Sequence, residues 1–155
     1  MHPRAAELIR ELQLAEHPEG GYYRRLFTSA QRQADGRAVS SAILFLLPAG
    51  VVGRWHRVDA DELWHFYEGD PLELLVADAP DNLCSLRLGP VAAGQLPQQV
   101  VPAQAWQAAR SSGAFTLVGC TVAPEFQFEG FRLLANDPLA QRQWPRLAAD
   151  YPELV

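Results

Sequence analysis

Ten short runs of strand-forming residues recur along the chain, each closed by residues that turn the backbone. The runs lie at 22–28, 38–47, 51–57, 62–67, 72–78, 83–88, 98–101, 105–110, 114–121 and 126–134. Between them stand Asp35-Gly36, Pro48-Ala49-Gly50, Gly69-Asp70-Pro71, Pro80-Asp81-Asn82 and Ser111-Ser112-Gly113, all residues that favour turns. Many short strands at regular intervals point to an all-β barrel or jelly roll and away from a parallel α/β sheet. Helical spacing is confined to the two ends. Ala5, Leu8, Ile9 and Leu12 recur on one helical face, with Pro3 tolerated in the first turn, so a helix is expected to lie against the sheet as a flap. A second helical piece spans about 137–149, where Pro145 kinks or divides it.

With 155 residues the chain reads as one domain, core at about 14–134, that folds without disulfide support. A formal net charge of −5, with arginine supplying every basic side chain, leaves no footprint for nucleic acid. The absence of lysine also rules out Schiff-base chemistry. No run approaches the roughly 18 apolar residues that span a bilayer, and residues 1–14 are too charged for a signal segment. A cytoplasmic protein without membrane partners is the expectation. Cys84 and Cys120 lack metal or redox spacing and read as small buried hydrophobes.

The stretch richest in chemistry is Gly50 to Gly69, GVVGRWHRVDADELWHFYEG. If Trp55 to Phe66 forms a β-hairpin with its turn centred on Asp59, His56 lies directly across from Glu62 on one face. Period-two alternation adds Val52, Arg54, Trp64 and Phe66 to that face and puts Trp55, Arg57, Leu63, His65 and Tyr67 on the other. A bulge would reassign one strand's faces. An imidazole, a carboxylate, a guanidinium and a large ring would then share one pocket. The opposite face is more apolar than a soluble monomer leaves uncovered, so a partner subunit is expected to cover it.

This stretch resembles the first signature of the cupin superfamily, carried here by Gly50, His56, Glu62 and Gly69, with Val58 where a second metal-binding His would stand. Three segments resemble one branch of that superfamily, a branch of unknown function: His17 to Tyr23 (HPEGGYY), Ser41 to Leu74, and Val118 to Phe128 (VGCTVAPEFQF). The resemblance implies a double-stranded β-helix (a cupin jelly-roll barrel), commonly a homodimer, with a small-molecule pocket in the barrel mouth. Little of the second cupin signature is kept. Pro102 matches, while Gln104, Gln107 and Ser111 stand at its Gly, His and Asn positions.

Of four possible metal ligands His56 and Glu62 remain, and transition-metal sites usually take three or four. No cofactor is therefore expected, the alternative being a partial divalent-metal site made from His56, Glu62, Gln107 and water. Without metal, Glu62 would orient His56 as a general base near neutral pH. Metal-free sugar-nucleotide epimerases of the same superfold pair a barrel His with a Tyr, and the analogous acid here is Tyr22 or Tyr23. Arg24 and Arg25 follow on the same strand and could grip an anionic substrate. The residues singled out are His56, Glu62 and Tyr23 for catalysis and Arg25, Arg54, Trp64 and Gln107 for binding a sugar-like or carbonyl compound. A non-catalytic ligand-binding protein needs the same concave pocket. His17 reads as a turn residue close to that pocket, and His2 as a mobile terminal residue.

Overall fold

A computed structural model describes residues 1–155. Helix α1 (Pro3–Glu11) leads into strands β1 (Ala15–Glu16), β2 (Tyr22–Thr28), β3 (Ser41–Pro48), β4 (Val52–Arg57), β5 (Asp61–Gly69), β6 (Leu72–Ala79), β7 (Asn82–Leu88), β8 (Gln98–Val101), β9 (Trp106–Ser111), β10 (Phe115–Ala123) and β11 (Arg132–Leu133). Helices α2 (Pro138–Gln143) and α3 (Pro145–Asp150) follow, divided where Pro145 falls. The strands form two antiparallel sheets, one ordered β1-β2-β3-β10-β5-β8 and the other β11-β4-β9-β6-β7. Their facing surfaces enclose a core of Phe45, Leu47, Trp64, Leu74, Val118 and neighbours, which is a jelly-roll sandwich.

Two further apolar clusters close the outer faces. Helix α1 lays Ala5 and Leu8 on Leu46, Phe115 and Leu117 of the six-stranded sheet. Arg4 ties the helix to β5 through a two-pronged pair with Glu68, at 2.6 and 3.0 Å. His2 is not a loose end. Its ring caps the helix by accepting the Arg4 N–H at 3.2 Å. On the five-stranded sheet, Trp55, Leu75, Trp106 and Ala108 are covered by Leu134, Leu147 and Leu154 of the C-terminal segment.

Several sequence expectations need correction. β4 and β5 do not pair with each other: β4 lies between β11 and β9, and β5 between β10 and β8. Residues 58–60 are a crossing between sheets, and the short spacing that suggested a hairpin serves a sandwich corner equally well. The register of β4 against β9 also shifts between Gly53 and His56, so the inward residues are Gly53 and His56, and Arg54 leaves the expected face. On β5 the alternation holds, with Glu62 and Trp64 buried. Trp55 is covered by this chain's own C-terminal segment, so it does not share an outer patch with Leu63, His65 and Tyr67. Residues 126–134 form two single turns around the two-residue β11 instead of one strand. Cys84 is exposed on β7 and only Cys120 is buried.

Candidate functional site

Between the sheets, open at one end, lies a cavity of about 440 Å³. Its walls come from strand residues of both sheets (His56 on β4; Glu62 and Trp64 on β5; Cys120 and Val122 on β10), from the loop before β2, and from the 126–129 turn. Glycine explains how the loop reaches the wall. Gly20 has φ +113°, and a Cβ on it would sit 2.0 Å from the Val52 carbonyl oxygen. Only glycine lets residues 17–21 lie flat on β4. Arg54 clamps the same loop from outside, donating to the Pro18 carbonyl at 2.6 Å and the Glu19 carbonyl at 3.3 Å. It is therefore a scaffold for the pocket wall and does not line the cavity.

The loop delivers Glu19, a residue sequence reasoning did not single out. Its Oε2 lies 3.2 Å from His56 Nε2 and 3.4 Å from His17 Nδ1. Both carboxylates of the cavity, Glu19 and Glu62, are more than nine-tenths buried. The hydrogen-bond pattern fixes the tautomer of each ring. His56 Nδ1–H donates to the Arg54 carbonyl at 2.7 Å, which leaves Nε2 as a bare lone pair facing Glu19. His17 Nδ1 accepts the Glu19 backbone N–H at 3.2 Å, so it too presents no proton to the carboxylate.

Two acceptors 3.2 Å apart in a buried site require a proton between them. It can sit on the carboxyl or on the imidazole, and burial decides. Desolvation pushes His56 down to about 4, opposed only by its bond to the Arg54 carbonyl. Desolvation and the nearby Glu62 charge hold Glu19 well above the usual carboxylate range, against the pull of Arg54. Burial therefore favours Glu19 as the carboxylic acid that donates to His56. His17, pushed down to about 4 by burial and by His56, is neutral as well.

Glu62 faces the same space from the other sheet. Trp64 Nε1–H donates to Gln107 Oε1 at 3.1 Å, and because indole is only a donor this fixes the amide orientation. Gln107 Nε2 then donates to Glu62 Oε2 at 2.5 Å. Burial raises Glu62 above its ordinary range, partly offset by Gln107 and by the Cys120 thiol. The amide of Gln107 is oriented by these two bonds, and the residue sits behind Glu62 and off the cavity wall. A metal site from His56, Glu62 and Gln107 does not fit this arrangement, nor do three His, Cys, Asp or Glu side chains converge as ligands.

The remaining sequence candidates divide. Tyr23 lines the cavity, set edge-on to the His17 ring at 4.6 Å, while Tyr22 packs on the α1 side of the sheet. Arg25 reaches the cavity rim but is committed to the Phe126 carbonyl at 2.6 Å and to Glu125 at 3.7 Å. Arg24 points outward to the Leu12 carbonyl. His65 lies on the outer face of β5 beside Thr121. The mouth is framed by Phe126, Phe128 and Glu129, none of which the sequence singles out as a site residue.

Residues 6–134 match the family model described as Cupin superfamily (DUF985). The chain belongs to that family. Among solved structures this cupin is similar to a Shewanella oneidensis protein determined by X-ray crystallography, at 35% identity and TM-score 0.87, with 97% of this chain and 96% of that one covered. It is likewise similar to a hypothetical protein from Leishmania major, at 28% identity and TM-score 0.86, covering 97% and 98%. Oxalate decarboxylase from Bacillus subtilis shares the fold at 14% identity and TM-score 0.61, covering 88% of this cupin and 34% of the decarboxylase. No curated protein matches.

Proposed function

We propose that this cupin moves a proton at the carbon next to the carbonyl of a small sugar-like compound, as a metal-independent isomerase or epimerase. The observation that carries the reading is the pair of buried acid–base groups in unlike environments, one on the loop laid against β4 and the other on β5. Glu19 holds a proton against the bare His56 Nε2, whereas Glu62 faces the cavity with no imidazole partner and a raised pKa. Unlike environments for paired titratable groups are the usual way to separate an acid from a base.

In this scheme Glu62 is the base, and His56 serves Glu19 instead of acting alone. The substrate C–H bond breaks, its proton passes to Glu62, and the electron pair moves through the C–C bond onto the carbonyl oxygen. Tyr23, on the same wall as His17, is the nearest phenol for that oxygen. Glu19 then returns a proton to carbon from the other side, and His56 and solvent restore the starting states. The protein is further proposed to work as a cytoplasmic homodimer. Phe27 and Val100 are each about half exposed at the ends of a row that crosses the outer six-stranded sheet through Ala42, Thr121 and Leu63.

The test is deuterium incorporation, followed by NMR, at the carbon beside the carbonyl of compounds first selected by thermal stabilisation. Glu62→Gln should slow exchange by on the order of 10² or more while the affinity of an uncharged compound stays within a few fold, a general-base effect. A compound that binds in this cavity without exchange in the wild type would leave a ligand-binding protein.

A further inference from the structure

We propose that the compound held in this cavity carries a positive charge, as an amine-bearing small molecule; the proposal rests on the proton-transfer reading only for where the ligand sits. Charge accounting on the cavity wall motivates it. Glu19 and Glu62 are both nearly fully buried, and neither carboxyl group is paired with a guanidinium. The imidazoles beside Glu19 are neutral, with both facing nitrogens bare or already accepting. Glu62 is held by an amide and a thiol, neither of which brings charge.

The cavity has one arginine, Arg25, and it is occupied by Glu125 and the Phe126 carbonyl. A phosphate or carboxylate entering here would meet two carboxyl groups and no free cation, so its lost hydration would go uncompensated. This overturns the expectation that Arg24 and Arg25 grip an anion. An ammonium group meets the opposite situation. A buried carboxylate without a cation is unusual unless paired, and a ligand cation beside Glu62 would provide that partner.

The rest of the wall suits the same charge. Tyr23, Phe45, Trp64, Phe126 and Phe128 put aromatic rings around the space, and ring faces attract ammonium groups most strongly where water is excluded. Exposed Glu129 at the mouth adds a negative charge where a cation would enter. Because burial raises both carboxyl groups above their ordinary range, Glu19 the more, a cation held beside a carboxylate shifts them toward the ionised form and expels protons. Amine binding therefore should release protons and tighten as pH rises, until the amine itself loses its charge.

The experiment is isothermal titration of the full-length protein with two charge-matched trios: glucosamine, glucose and glucuronate, and benzylamine, benzyl alcohol and benzoate. Each is run at two pH values and in buffers of different ionisation heat, which counts protons. We expect each amine to bind at least about tenfold tighter than its neutral and anionic counterparts, a preference of one decade in Kd. Proton release should accompany it. Glu62→Gln, which keeps an acceptor for Gln107, should remove that preference by about tenfold. Tighter binding of glucuronate or benzoate, no preference for amines, or failure of both amines to bind at about 10 mM, a concentration above weak millimolar affinities, would overturn the proposal. Exchange at an uncharged ketose with no amine preference would sink this inference and spare the proton-transfer reading. Amine binding without exchange in any carbonyl compound would do the reverse.

Discussion

The two faces of the five-stranded sheet differ sharply although they alternate residue by residue. Trp55 and Trp106 point outward into an apolar cluster under the C-terminal segment, while their chain neighbours His56 and Gln107 point inward. Outside, both indole N–H groups are buried without partners. Inside, Glu62, Gln107 and Trp64 form one bonded chain, and Glu19, His56 and Arg54 another. Burying a tryptophan removes about 150–250 Å² from water, worth roughly 4–6 kcal/mol as an upper bound. An unmade hydrogen bond costs about 1–3 kcal/mol, so apolar area wins on the outer face. The outer face supplies stability and tolerates polar imperfection. The inner face spends its polar groups on fixing tautomers and protons.

The largest effect that would sharpen this contrast is Trp55→Ala. It should lower unfolding free energy in urea by about 3–5 kcal/mol through the cavity it leaves. Its folded form should still show a neutral His56. Coupled loss of that protonation state would mean that the two faces are not separable.

A smaller effect is expected across the cavity, at Trp64→Phe. Removing the indole N–H frees the Gln107 amide to rotate and leaves a buried acceptor unpaired, at about 1–3 kcal/mol. Unlike Trp55→Ala, it should also alter the pH at which Glu62 titrates. No change in that pH would show that the amide does not orient the carboxylate.

The third expectation is a shape. In the native protein Glu19 keeps its proton and His56 has none, whereas an unfolded chain between pH 4.5 and 6.5 has an ionised Glu19 and a charged His56. Each state of this pair then binds one proton, so stability is flat over that window. Below pH 4.5 the unfolded pair takes up a second proton first, and stability falls as pH drops toward the folded value of His56 near 4. Above pH 6.5 the unfolded pair loses its last proton while the native pair keeps one, and stability falls as pH rises. Inside that window His17 makes stability fall as pH drops from 6.5 and Glu62 makes it fall as pH rises from 4.5, so the two oppose each other there. Melting temperature against pH should show this plateau, and Glu19→Gln, which mimics the protonated acid, should flatten the alkaline limb. An alkaline limb unchanged in that variant would remove Glu19 as its source.

Much of the fold was legible in the sequence. Nine of the ten strand runs appear, 22–28 and 98–101 at the expected bounds and the other seven with shifted ends, because alternation and turn residues are local signals. The tenth failed at 126–134, where apolar residues line the pocket mouth and pack individually instead of alternating in a ladder. His56, Glu62 and Trp64 do converge, but through the sandwich corner and not a hairpin, since spacing carries no information about which sheet a strand joins. Arg54 was misplaced by one bulge. Glu19 lies in the HPEGGYY segment, but its role depends on contact with β4, which only the close approach of Gly20 makes possible. The Gly-Gly pair following an acidic residue was the available signal. Cys84 departs from the expectation of burial because residue type does not tell an edge-strand position from a buried one.

The central claim is that the proton between Glu19 and His56 rests on the carboxyl group. It is tested most directly by ¹⁵N NMR of the imidazole nitrogens in uniformly labelled protein, with His56 assigned by comparison with His56→Gln, across pH 5 to 8. The account predicts one protonated nitrogen, Nδ1, and one bare nitrogen, Nε2, throughout that range, because His56 titrates near 4. Two protonated nitrogens at pH 7, an imidazolium facing an ionised Glu19, would contradict it.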